Sequence, residues 1–135
     1  MQSRFQFRAK GINGTWVRGA VSRSRDMYKI IATMEEEGAI TVMRRVEENT
    51  IGQCTGLRDA AGTLIFEGDI THEEYLNPDG SRVVYAERVA WSGEGGGWTL
   101  AGNRAGALAK LSESIASEVT VVGNIHDHPE LLRKA

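Results

Sequence analysis

The chain has 135 residues, 41% of them hydrophobic and 25% charged, with a single cysteine and a formal net charge of -2. That length supports one self-sufficient core, and the lone Cys54 excludes an internal disulfide framework and points to a reducing compartment. No apolar run approaches membrane-spanning length and the N-terminus lacks the apolar region of a signal peptide, so the expectation is a cytoplasmic protein without a membrane partner.

Sixteen glycines against two prolines suit a β-rich chain with tight turns. The opening "RFQFRAK" alternates apolar and polar residues, the period of a half-buried strand, with Phe5 and Phe7 on one side. "GING" at 11–14 reads as a turn and "TWVRGAVS" as a second strand, while the Gly/Ser/Arg-rich stretch 19–26 reads as a loop. "YKIIATM" and "AITVMRRV" are rich in β-branched residues on either side of "EEEG", which predicts a hairpin turning at Gly38. A helix over 27–37 stays open as the alternative.

Further along, "DAAG" is a turn before the apolar run Leu64, Ile65 and Phe66. "NPDG" at 77–80 is a strong turn signal, because proline presets φ and glycine accepts a positive one. "SRVVYAERVAW" and "WTLAG" read as partner strands around the loop "SGEGGG". Only 102–117 looks helical, with Asn103 as a cap and Leu108, Leu111 and Ile115 at helical spacing, so a short helix is expected near 103–116. "SEVTVVGNI" closes the chain as a strand. The expected fold is mainly β: a small barrel or sandwich with SH3-like character, one domain over 1–135, with N-terminal strands over 1–52 and a barrel-like core over 53–135.

Charge is unevenly spread. Residues 1–30 carry seven basic groups against Asp26 alone, a local balance of +6 that leaves -8 for the remainder. Such asymmetry can mark a phosphate-binding segment or two regions that pack against each other. Because the cations are interleaved with Phe5, Phe7, Trp16 and Val17, association between regions or subunits is the preferred reading.

Two segments resemble a known family. "TGLRDAAGTLIFEGDI", residues 55–70, is similar to the T-G-L-x-D-x-x-G-x-x-I-[YF]-E-G-D-I block of the YopX family, found widely in phages and prophages. "VVGNIHDHPELL", residues 121–132, resembles its closing V-x-G-N-I-[YH]-E/D-N-P-E-L-L block. The resemblance implies a mainly β fold with an SH3-like core and supplies no catalytic residues. The family usually has an aromatic residue at the position of His126 and Asn at that of His128, and this chain departs at both.

Read as chemistry, both blocks look architectural. Gly68 can adopt a backbone shape forbidden to side chains, and Asp69 can accept backbone N–H groups. Gly123 and Asn124 interrupt β-branched residues and suggest a bulge or a bend, and Pro129 can start a final turn. His126 and His128 would share one face of a strand, a spacing some metal sites use, but no third ligand converges with them. They are weak metal candidates, and the better reading is the variable exit of a strand. "GEGGG" at 93–97 lacks the Gly-Lys-Ser/Thr ending of a phosphate loop, and no catalytic constellation or cofactor motif appears.

The expected function is therefore binding, not catalysis: a phage or prophage accessory protein with a protein partner, associating with copies of itself. The alternative is a nucleic-acid binder using Arg4, Arg8, Arg18, Arg23 and Arg25, with Trp91 and Trp98 as further contact candidates. A metal-dependent enzyme is a remote third.

Overall fold

A computed structural model describes residues 6–25, 27–34, 40–93, 96–102 and 109–132. The chain divides into two compact units, residues 1–56 and 57–135.

The first unit is an antiparallel sheet in the order β4-β3-β2-β1-β5, built from β1 (Phe7–Lys10), β2 (Trp16–Ser24), β3 (Met27–Met34), β4 (Ile40–Val46) and the start of β5 (Gly52–Arg58). Strand rather than helix is thus what "MYKIIATM" forms, and its register with β4 runs unbroken from Tyr28↔Val46 to Met34↔Ile40. Gly38 and the "EEE" run lie outside the described residues. The loop expected over 19–26 is corrected. β2 continues to Ser24, paired from Ala20↔Ile31 to Ser24↔Met27. Its serines and arginines misled because a strand with one wet face needs no apolar residue at alternate positions. Apolar residues converge on the other face, where buried Ala9 and Val46 are packed by Phe7, Val17, Val21, Tyr28 and Ile51.

The hairpin between β1 and β2 turns at Gly14, whose φ of 88° suits glycine. The Asn13 side chain accepts from the Thr15 N–H at 3.1 Å and stiffens this turn. A bridge between Gly11 and Val46, with Glu47 N–H donating to the Lys10 carbonyl at 2.9 Å, draws the end of β4 back beside β1. The strands wrap around their core without forming a continuous barrel.

In the second unit the end of β5 turns through 59–63 into β6 (Leu64–Phe66). A second antiparallel sheet has the order β10-β9-β8-β7-β11, from β7 (Asp69–Leu76), β8 (Arg82–Ser92), β9 (Gly97–Gly102), β10 (Ala109–Lys110) and β11 (Thr120–Asn124). Val89 and Leu100 from this sheet pack with Ile65 of β6 and with Leu111, Ala116 and Val119, a small sandwich-like core. Ile65 and Phe66 are both fully buried although adjacent in β6, so both faces of that short strand are covered. Truncating either to Ala should cost about 3 kcal/mol.

The only α-helix among the described residues, α1, is one turn at Glu113–Ala116 within the expected 103–116; residues 109–110 form β10 and 103–108 lie outside the described residues. Ser112 caps it by accepting from the Ile115 N–H, whereas Asn103 lies outside the described residues. Leu111 and Ile115 do face the core, but Leu111 reaches it from the end of β10, so their spacing imitates a longer helix. A 3-10 turn at Pro129–Leu132 ends the described chain, as Pro129 foreshadows.

Candidate nucleic-acid interface

Strands β1 to β4 contain no Asp or Glu, while they hold Arg8, Lys10, Arg18, Arg23, Lys29, Arg44 and Arg45. Cross-strand register sorts these cations by face, because directly opposed residues point the same way. Lys10↔Trp16, Arg8↔Arg18, Ser22↔Lys29 and Lys29↔Arg45 all lie on the face away from Ala9 and Val46. Arg18 and Arg45 are exposed and Lys29 is half-buried. Lys29 directly opposite Arg45 is a like-charge pair, an arrangement that costs stability in a sheet and is better suited to meeting an anion.

The arginines expected to act together are split by this geometry. Arg8 and Arg18 share the outward face. Arg23 has the opposite parity, with its guanidinium 5.6 Å from the Tyr28 ring centre and its Nε donating to the Arg25 carbonyl at 3.2 Å. Arg25 sits in the following turn with φ of 57°, and Arg4 lies outside the described residues. Sequence reasoning missed Lys29 and Arg45 as a pair. The register of the β3–β4 hairpin was the missing signal.

Where the hairpin turn 11–14 meets β4, a groove of about 540 Å³ opens, lined in part by Ile12, Trp16, Met43, Arg44 and Arg45. Ile12 and Met43 are 65% and 53% exposed, so this apolar floor is accessible. Arg8 lies over Trp16 at 5.0 Å, a cation–π contact that helps fix the ring.

In the second unit Trp91 and Trp98 are opposed on β8 and β9 and meet edge to face at 5.1 Å. Trp98 packs against the core and Trp91 is exposed, so only the second offers a contact surface. A separate groove of about 510 Å³, lined by His72, Glu74, Val84, Glu118 and Thr120 among others, is acidic in character. Among the described residues no group of three His, Cys, Asp or Glu is placed to hold a metal.

His126 and His128 do not share a strand face, which corrects the geometry expected of them. β11 ends at Asn124, and both follow in a turn. The buried Asn124 holds that turn: its Oδ1 accepts from the N–H groups of His126 at 3.0 Å and Asp127 at 2.9 Å. The His128 Nδ1 is engaged in turn, accepting from the Asn124 N–H at 3.2 Å.

The two distinctive blocks of sequence meet here. Gly123 pairs with Ile70 and Asn124 with Asp69, after a register shift that leaves Val122 as the bulge. The Ile125 N–H continues the ladder to the Gly68 carbonyl at 2.9 Å. Gly68 has φ of 90°, and buried Asp69 accepts from the Phe66 N–H at 2.7 Å. Asp59 ties the blocks together a second time, accepting from Ala61, Thr63 and Val121 N–H groups at 2.8 to 2.9 Å.

Comparison with known families decides the relationship: the family described as YopX protein matches residues 6–133. The chain belongs to the YopX family. Its two signature blocks thus form one structural joint, in which Asp59, Gly68, Asp69, Gly123 and Asn124 serve the backbone. No curated protein matches. Among solved structures, protein EF1440 from Enterococcus faecalis is similar at 22% identity, covering 94% of this chain and 96% of that one with a TM-score of 0.57. That likeness concerns the YopX fold alone. Among the described residues of this YopX chain, no helix is long and apolar enough to cross a membrane.

Proposed function

We propose that this YopX-family chain is a non-enzymatic nucleic-acid-binding protein, an accessory factor of phage or prophage origin, whose first unit meets phosphates through the outward face of β2, β3 and β4. The observation that carries this reading is the opposed pair Lys29 and Arg45, on the outward face that Arg18 shares, on strands without a carboxylate. Phosphate binding is driven by cation density and counterion release, and a face of one sign supplies it locally despite a net charge of -2. The test is fluorescence anisotropy with a labelled oligonucleotide at low salt. The wild-type chain should bind, and Lys29→Glu combined with Arg45→Glu should abolish binding while leaving the circular dichroism spectrum intact. Undiminished binding by that variant would reject the face.

A second reading, a self-associating protein-interaction module, draws on β4. Along Ile40–Arg45 its register is with β3, and it ends the sheet order, leaving a strand margin beside exposed Met43. Such margins accept a further strand. Sedimentation of a strictly monomeric species at high concentration would remove this reading.

A further inference from the structure

We infer that the groove between the 11–14 turn and β4 receives an unstacked nucleobase, so the preferred ligand is single-stranded nucleic acid, not a duplex. This rests on the nucleic-acid reading above and names the ligand class of the same surface.

Three features of the groove converge on a base. Its volume, about 540 Å³, falls in the range of small-ligand sites. Its wall includes the indole of Trp16, held by Arg8 at 5.0 Å, and its accessible floor is Ile12 and Met43. A flat aromatic flanked by apolar side chains suits the face of a base, which presents the same stacking surface whatever the sequence. Arg44 and Arg45 also line it, and Arg45 leads across the strands to Lys29. A base lodged against Trp16 would therefore leave its own phosphate beside cations, matching the negative charge of the strand. In a duplex the base faces are stacked inside the helix and cannot enter.

The turn that forms one wall is built to keep its shape. Gly11 N–H donates to the Thr15 carbonyl and Gly14 N–H to the Gly11 carbonyl, both at 2.8 Å, while Ile12 N–H reaches the Arg45 carbonyl at 3.3 Å. A preorganised wall spares a bound base the cost of ordering it.

The test compares, by anisotropy at low salt, labelled oligothymidylate with an abasic strand of the same length and phosphate count, with oligouridylate alongside to distinguish DNA from RNA. Oligothymidylate, oligouridylate or both should bind the wild-type chain about tenfold more tightly than the abasic strand, the scale of one base stacked on an aromatic ring. Trp16→Ala should erase that ratio while leaving abasic binding in place. Should Trp16→Ala fail to fold, Met43→Ala at an exposed position should reduce the same ratio. Equal affinity for base-bearing and abasic strands would overturn the base pocket yet leave the phosphate-binding reading standing. No binding of any strand at low salt would overturn both.

Discussion

The imidazole of His128 lies against the backbone of Gly123. A Cβ built on Gly123 would stand 2.6 Å from His128 Nδ1 and 2.8 Å from its Cγ, and that same Nδ1 accepts from the neighbouring Asn124 N–H. A glycine is thus required here by close approach. We expect Gly123→Ala to destabilise the protein by about 1 to 3 kcal/mol, the usual range for overpacking. His128→Ala should open the space, so the double variant should be more stable than the sum of the single effects implies. Chemical denaturation of the four proteins forms the cycle, and strict additivity would separate the two residues.

Asp59 should be the most sensitive carboxylate of the joint. It is 6% exposed and accepts three backbone N–H groups, one of them from Val121 on β11. Removing it leaves those donors in a largely dry site, and Asp59→Ala should cost about 3 kcal/mol. Urea unfolding measures this, and a loss within experimental error would show that water replaces the carboxylate freely.

The histidine pair should not act as a metal centre. With His128 Nδ1 occupied and both rings in a turn held by Asn124, a stoichiometric addition of zinc should leave the melting temperature unchanged, and EDTA should do the same. A zinc-dependent rise that His126→Ala removes would contradict this placement.

Asp79 offers a pH check on the "NPDG" turn. The Ser81 hydroxyl, followed by the Ser81 N–H, donates to its carboxylate and holds the pKa below the ordinary value. Because the folded value is depressed, its contribution is present above the unfolded pKa and is lost as pH falls through the folded one. An NMR titration of the Asp79 carboxyl carbon should find this low midpoint, and Ser81→Ala should raise it.

Much of the fold was legible because the signals were local. "GING", "DAAG" and "NPDG" turn where their residues require, alternation located β1, and the loop "SGEGGG" separated β8 from its partner β9. The helix expected near 103–116 is present as one turn at Glu113–Ala116, and its extent was overread for a reason of the same kind: Leu111 and Ile115 answer to one core from two different elements, and sequence spacing cannot separate that from a continuous face. The candidate site was legible only as charge. The excess of cations over residues 1–30 was plain, but Arg45 lies outside that window, and its position opposite Lys29 depends on the register of a hairpin. The histidines misled because strand geometry was extended to 126–128, whereas the Asn124 side chain ends β11 by holding the turn that follows.

The most direct measurement is the salt dependence of oligonucleotide affinity. With Arg18, Lys29 and Arg45 neutralising phosphates, the logarithm of the association constant should fall with that of salt concentration at a slope of about -2 for a single strand. The slope should shrink by about 1.4 when Lys29 and Arg45 become Ala. Absence of binding at low salt, or a slope that ignores those two substitutions, would contradict the assignment of this face to nucleic acid.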